Sequence, residues 1–398
     1  MTSNKWVTFL IVAMGVFMST LDASIVNISL PTIARYFGVA LGGPIEWVII
    51  AYLVVIAAVL LTIGRLSDVV GRKPIWAAGL VVFTVGSALC GAAPSLPLLI
   101  AFRVAQGLGA ALLFAVSPAI VTGAFPPNER GRALGANAVV VALGTSAGPT
   151  IGGVLTEHFT WRWIFYVNVP IGIVGVLIGL RFLPESPLQA RSRFDLRGFL
   201  LLAVGLGLLL YGLSNLAYDG WSSVLTVSGP TIIAIVLLVA FGVVSWVTPN
   251  PLLDLRVFKN RNFWAGNIII WLSTVGLFGG AFYLPQYLQG LRGLDPFHSG
   301  LQLLPQGIAA IVATVFAGVL YNRVGPRALM IGGALVLTLD TYAISTWIGS
   351  TTAAYAALTP LLVIRGLALP PLAQTSNTIA LQYYLQLNGR GRSVKGKE

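Results

Sequence analysis

Charged side chains are scarce in this chain. Asp, Glu, Lys and Arg together make up 9% of its 398 residues, where an ordinary soluble domain carries about 25%. A water-facing surface cannot be covered with so few charges. The single cysteine, Cys90, lies inside an apolar stretch, which excludes a disulfide framework and leaves no Cys set for zinc. The two histidines, His158 and His298, sit near the ends of apolar runs and form no recognisable metal spacing with Cys90. There is no Gly-x-x-x-x-Gly-Lys-Ser/Thr loop and no His-Glu-x-x-His helix. Neither a catalytic constellation nor a metal or other cofactor is expected. Energy, if used, must come from an ion gradient, which is worth about 2.3 kcal/mol per charge per 100 mV.

What is abundant is apolar length. Hydrophobic residues are 57% of the chain, and runs of about 20 recur throughout, each able at ~1.5 Å per residue to cross a ~30 Å hydrocarbon core. The pattern predicts an all-α integral membrane protein with twelve spans, at 6–30, 46–64, 75–93, 96–117, 133–155, 163–183, 198–216, 227–247, 263–288, 300–321, 328–347 and 353–375. The first run is too long for a signal-peptide core and carries Asp22, so it reads as a retained span.

The net charge of +12 invites a nucleic-acid reading, but that needs basic residues gathered in a stripe with stacking aromatics. Here they alternate with the spans. With a cytoplasmic N-terminus, the inner segments hold Lys5; Arg65, Arg72 and Lys73; Arg130 and Arg132; Arg181, Arg191, Arg193 and Arg197; Arg256, Lys259 and Arg261; Arg323 and Arg327; Arg390, Arg392, Lys395 and Lys397. The outer segments hold Arg35, Arg162 and Arg292. This is the positive-inside pattern of a multi-pass inner or plasma membrane protein. Basicity follows from topology and from anionic lipid at the inner face, with no nucleic-acid partner.

The segment after span 2 repeats after span 10. Gly64-Arg-Leu-Ser-Asp68-Val-Val-Gly71-Arg72-Lys73 aligns without a gap on Gly318-Val-Leu-Tyr-Asn322-Arg-Val-Gly325-Pro-Arg327. Two related helical halves follow, with spans 7 and 8 inserted between them, an architecture of secondary transporters. Within the first loop, Gly64 and Gly71 let helix ends approach, Asp68 is placed to accept from a helix N-terminus, and Arg72 with Lys73 to pair across the inner surface. The plainer reading is a short basic turn. In span 5, Gly144, Gly148 and Gly152 stand four apart and form a smooth face for another helix, with Gly135, Gly153 and a kink-inducing Pro149 alongside. Ordinary small-residue packing accounts for part of this.

Two intramembrane charges stand out. A charge near the bilayer centre costs roughly 2.5–3.5 kcal/mol or more and needs a cavity or a partner. Asp22 lies ~24 Å from the inner start of span 1 and Arg103 ~10 Å from the outer start of span 4, so both fall at similar depth in the outer half. They can meet, as a static pair or as a pair that alternates: apolar surroundings favour the neutral acid and a facing guanidinium the carboxylate, so switching between them moves a proton. Asp340 and Arg365 offer a second pair at depths that agree only loosely. Trp47, Trp161, Trp163 and Trp264 near span ends are read as interfacial anchors.

With these residues in place, the chain resembles the fourteen-span drug:proton antiporters of the major facilitator superfamily. The matching segments are Leu21-Asp22-Ala-Ser-Ile-Val-Asn27-Ile-Ser-Leu-Pro31, the Gly64 to Lys73 loop, Arg103-Val-Ala-Gln106-Gly107, the Gly135 to Gly153 pattern and Trp161-Arg-Trp163-Ile-Phe-Tyr-Val-Asn168-Val-Pro170. The resemblance implies transport bundles at 1–183 and 263–398 with an inserted pair at 184–262. It also implies proton coupling or a substrate cavity at Asp22, Arg103, Gln106 and Asn27, gating by the Gly64 to Lys73 loop, and a hinge in span 5. The partners implied are protons, a small lipophilic or cationic substrate and membrane lipid. The family pattern calls for two more spans where this chain ends in the polar stretch 387–398, so a C-terminally shortened product is expected, with a second bundle of four helices. The competing functions are an uptake symporter on the same fold and an inactive fragment. Cysteines placed at Arg72 and Arg130 should both label with impermeant thiol reagents from the cytoplasmic side only; labelling from opposite sides would break the topology.

Overall fold

In hydrocarbon the backbone must satisfy its own hydrogen bonds, and a run of apolar residues does so as an α-helix. The computed structural model describes residues 4–126, 129–185, 195–248, 253, 255, 259, 261–349 and 357–368. Among them are eleven helical spans long and apolar enough to cross a membrane. In chain order the helices are α1 (Lys5–Phe37), α2 (Trp47–Val70), α3 (Arg72–Ala92), α4 (Leu96–Ala124), α5 (Arg130–His158), α6 (Trp163–Tyr166), α7 (Asn168–Phe182), α8 (Leu196–Asp219), α9 (Gly229–Val247), α10 (Arg261–Gly290), α11 (Pro296–Val324) and α12 (Pro326–Gly349). A shorter apolar helix, α13, covers Ala357–Ala368. Helices α6 and α7 share one span, because Val167 between them keeps right-handed helical angles. The expected twelfth span is described only over α13, and the polar stretch 387–398 lies outside the described residues.

Two boundaries differ from expectation. Helix α1 does not stop at residue 30 but continues through Pro31 to Phe37, where Gly38 (φ 65°) caps it and donates to the carbonyls of Ala34 and Arg35. Pro31 is tolerated because one lost backbone bond, at the carbonyl of Asn27, bends a helix without ending it when neighbours hold it. The Gly64 to Pro74 segment is likewise mostly helix. Helix α2 runs on to Val70, so Gly64 lies inside it, and the connection to α3 is the single residue Gly71 at φ 103°.

The repeat is visible in the backbone. Gly325, aligned with Gly71, also joins two helices alone, at φ 84°. The same gap-free register places Pro285 inside α10 opposite Pro31 inside α1. Positive φ explains why glycine occupies both turns, since a Cβ there would strain the backbone.

Helix α1 is the axis of the first set of helices and packs on α4, α5 and α7; α2 and α3 pack on α4, and α3 also on α7. Helix α8 pairs with α9 and rests on α2. The two sets meet chiefly through α5 and α11, with α1 against α10. Helix α5 is smooth on two sides. Toward α1, a Cβ at Gly144, Gly148 or Gly152 would run into Thr20, Ser24 or Ile25 and Ile28, and Ser24 Oγ donates to Gly144 O at 3.2 Å. Toward α11, a Cβ at Gly153 would strike Pro296, and one at Gly300 would strike the carbonyl of Pro149. Ser146 and Thr150 complete that seam by donating to the carbonyls of Gly307 and Gly300 at 3.2 and 3.4 Å. Gly135 departs from the expected face: nothing lies within 4 Å of a Cβ added there, because the helix has left the seam by that turn.

Gly148→Ala should therefore cost about 1–3 kcal/mol through overpacking, seen as a lower unfolding temperature in detergent, while Gly135→Ala should leave it unchanged or slightly raise it. Equal effects would mean that α5 is not held against α1 as described.

Candidate functional site

The site grows from α1, where Asp22 faces inward and is fully buried. Helix α4 carries Arg103 and, one turn on, Gln106, so both face the same way, and both are fully buried. Arg103 Nη1 donates to Asp22 Oδ2 at 2.5 Å and to Gln106 Oε1 at 2.7 Å, and its Nε donates to the Val48 carbonyl of α2 at 2.8 Å. Gln106 Nε2 donates to Asp22 Oδ1 at 2.8 Å. The amide thus bridges the two charges, presenting its oxygen to the cation and its nitrogen to the anion. Ion pairs in so dry a place survive only when the remaining donors and acceptors are also met.

Two further groups complete the shell. Asn168, at the start of α7, reaches Asp22 Oδ1 at 3.4 Å and Ser87 Oγ at 3.1 Å, and Ser87 donates to the Phe165 carbonyl at 2.8 Å. Below the guanidinium lies the ring of Tyr52, its centroid 4.1 Å from Arg103 Cζ, and the Tyr52 hydroxyl is anchored on the Ser19 carbonyl at 3.0 Å. Cys90 closes one side, 3.5 Å from Gln106 Oε1. Five spans converge on one carboxylate.

Asp22, Arg103 and Gln106 are brought together as their depths suggest, but Asn27 is not. Five residues beyond Asp22 at 3.6 per turn, it points ~140° away around α1. It is buried, and its Oδ1 has no hydrogen-bond partner among the described residues. Asn168 stands within the quoted Trp161 to Pro170 segment, though its function there was not foreseen. Tyr52 and Ser87 carried no sequence signal beyond being polar groups in apolar spans.

In the α2–α3 connection, Arg72 donates from Nη1 to the Ala119 carbonyl of α4 at 3.0 Å, near the negative end of that helix. Lys73 is half-buried in the first turn of α3, whose N-terminus has no side-chain cap. The side chain of Asp68 lies outside the described residues. Asp340 and Arg365 are both buried but make no direct hydrogen bond: Arg365 Nη2 donates to the Gly276 carbonyl of α10 at 2.5 Å instead. Trp163 and Trp264 are exposed to the surroundings as anchors would be. Trp161 is not; it is buried beneath Arg162, with Tyr36, Phe37 and Phe165 around it. Trp47 packs on Tyr211 of α8. Among the described residues no three His, Cys, Asp or Glu side chains could hold a metal ion.

A many-span helical bundle with a duplicated turn and a buried, hydrogen-bonded charge cluster is an architecture of membrane transporters of the secondary type. The Major Facilitator Superfamily profile matches residues 12–394, and the chain belongs to that superfamily. It is 38% identical over 338 residues to the riboflavin transporter RibZ of Clostridioides difficile, covering 85% of this chain and 72% of that protein. It is 35% identical over 343 residues to the multidrug resistance protein Stp of Mycobacterium tuberculosis, covering 85% and 63%. The chain thus spans roughly two thirds of the length of these relatives. Among solved structures, the xylose transporter XylE of E. coli in a partially occluded inward-open conformation shares the fold, with a TM-score of 0.63 at 15% identity, covering 96% of this chain and 85% of that one.

Replacing Arg103 by leucine should cost about 3–5 kcal/mol, since it strands a buried carboxylate. Combining it with Asp22→Asn should recover a large part of that loss, measured as a double-mutant cycle of unfolding in detergent. Additive losses would show that the two residues are not coupled.

Proposed function

We propose that this chain is a proton-coupled exporter of small lipophilic or cationic compounds, set in the plasma membrane with its N-terminus in the cytoplasm and working by alternating access between the helices of 1–183 and those of 263–398. The observation that carries this reading is the Asp22, Arg103 and Gln106 cluster. One carboxylate, buried in the bundle, is held by a cation and two amides carried on other helices.

The chemistry of a cycle follows. With Arg103 on Asp22 the carboxylate is ionised and compensated. If a rearrangement of α4 against α1 moves the guanidinium away, the carboxylate is left among apolar walls, and taking up a proton becomes the cheaper state. Return of Arg103 expels that proton. The seam between the two helical sets lies toward the His158 end of α5, at Gly153 against Pro296 and Pro149 against Gly300, and with the proposed orientation that end is the outer one. The outside is then closed while Asp22 is unprotonated. An exporter needs this state to collect substrate from the cytoplasm after discharging its proton there. The smooth face of α5 toward α11 lets one set of helices rock on the other with few interlocked side chains.

Export is favoured by a relative named as a tetracenomycin C resistance and export protein, from Streptomyces glaucescens and 31% identical over 387 residues. The greater identity to the riboflavin transporter RibZ supports a second solute, a flavin or similar planar aromatic, and joined to the uptake-symporter alternative it makes a second reading. Direction of flux separates the two.

In everted vesicles, Asp22→Asn at normal expression should abolish uptake of a cationic dye driven by an imposed pH gradient, and Asp22→Glu should retain part of it. Unaltered transport by Asp22→Asn would end the assigned role; accumulation of riboflavin by intact cells would favour the second reading; and a chain with no transport in either direction would mark it as an inactive fragment.

A further inference from the structure

The register that aligns Gly71 with Gly325 and Pro31 with Pro285 also places Gly276 of α10 where Asp22 stands in α1. On α13, eight residues out of that register, Leu361-Leu-Val-Ile-Arg365 matches Leu99-Ile-Ala-Phe-Arg103 of α4 at its first and last residues. The later set of helices therefore keeps the arginine of the buried cluster and lacks its carboxylate. Arg365 nevertheless reaches to the corresponding place on the first helix of its set: its Nη2 donates to the carbonyl of Gly276. Gly280, one turn on, leaves the space that the guanidinium fills, since a Cβ there would lie 2.4 Å from Nη2.

The missing carboxylate is supplied from another helix. Asp340 of α12 falls, in the same register, at Gly86 of α3. In the first set Gly86 lets α3 press on the backbone of Gln106. In the later set the position carries an acid that is 4% exposed, with neither oxygen hydrogen-bonded among the described residues. Helices α12 and α13 pack together beside it: Ile344, one turn from Asp340, and Leu362, one turn from Arg365, lie in one buried cluster. In this structure Arg365 donates to the Gly276 carbonyl rather than to Asp340. The first set holds its arginine on its carboxylate, Arg103 on Asp22; the later set holds its arginine off it, on Gly276.

We propose that Asp340 is a second proton-binding carboxylate, with Arg365 as the side chain that alternates between it and the Gly276 carbonyl, so that each helical set binds and releases its own proton. With Arg365 on Gly276, Asp340 is the neutral acid. When the guanidinium swings to it, the O–H proton passes to water and the carboxylate formed is compensated. The proposal rests on the proton-coupled reading above.

The test uses this chain reconstituted in liposomes, with proton-to-substrate ratio obtained by balancing a pH gradient against a cationic dye gradient. Asp340→Asn should halve the protons moved per dye while Asp340→Glu preserves the ratio. A wild-type chain whose transport ignores the pH gradient defeats the proton-coupled reading; coupled transport with the same ratio in Asp340→Asn defeats only the present one. A second measurement needs no variant. An apolar carbodiimide reacts with buried protonated carboxyls, and peptide mass spectrometry of the labelled wild-type chain should show an adduct at Asp340 that declines as pH rises. A dye-binding chain without that adduct overturns the proposal.

Discussion

Everything in the first set of helices is arranged around one ion pair that neither water nor lipid can stabilise. Asp22 and Arg103 sit in the middle of a low-dielectric bundle, where an uncompensated charge would be far more costly than any single packing contact is favourable. The surrounding sequence meets this with a network of donors and acceptors. Gln106 spans both charges, Asn168 and Ser87 lead from the carboxylate to the backbone at Phe165, and Tyr52 offers its ring face to the guanidinium. Each comes from a different span, so the cluster also sets the rotation and depth of those helices relative to one another.

Glycine plays the complementary part. Where helices must approach closely, the chain removes side chains: Gly86 and Gly109 bring α3 and α4 together, Gly107 brings α4 to α2, and Gly144, Gly148 and Gly152 bring α5 to α1. In a bilayer such close approach replaces the hydrophobic effect as the source of helix association. Close packing and buried polarity reinforce one another here, because short interhelical distances are what allow side chains as small as Ser24 and Ser29 to bond across to α5.

Much of this was legible in the amino-acid order. Apolar run length located the spans, and counting residues along them put Asp22 and Arg103 at one depth. Four-residue glycine spacing pointed to the face of α5 that meets α1. Less legible were features decided by rotation rather than depth. Asn27 lies on the same helix as Asp22 yet faces elsewhere, Trp161 is drawn inward by Arg162, and Arg72 reaches a carbonyl near the end of α4. The extent of α1 beyond Pro31 was hidden for a related reason: a proline weakens one turn, and only the packing of neighbouring helices decides whether the helix survives it.

Helix α5 is smooth toward α1 on one side and toward α11 on the other, so its small residues from Gly144 to Gly153 are committed on both sides. A mutation that enlarges any of these residues damages either the internal packing of one helical set or its contact with the other. Heritable variation in what the protein accepts must therefore accumulate on other helices, and α5 should behave as the slowest-changing span of the chain, a fixed mechanical part around which recognition drifts.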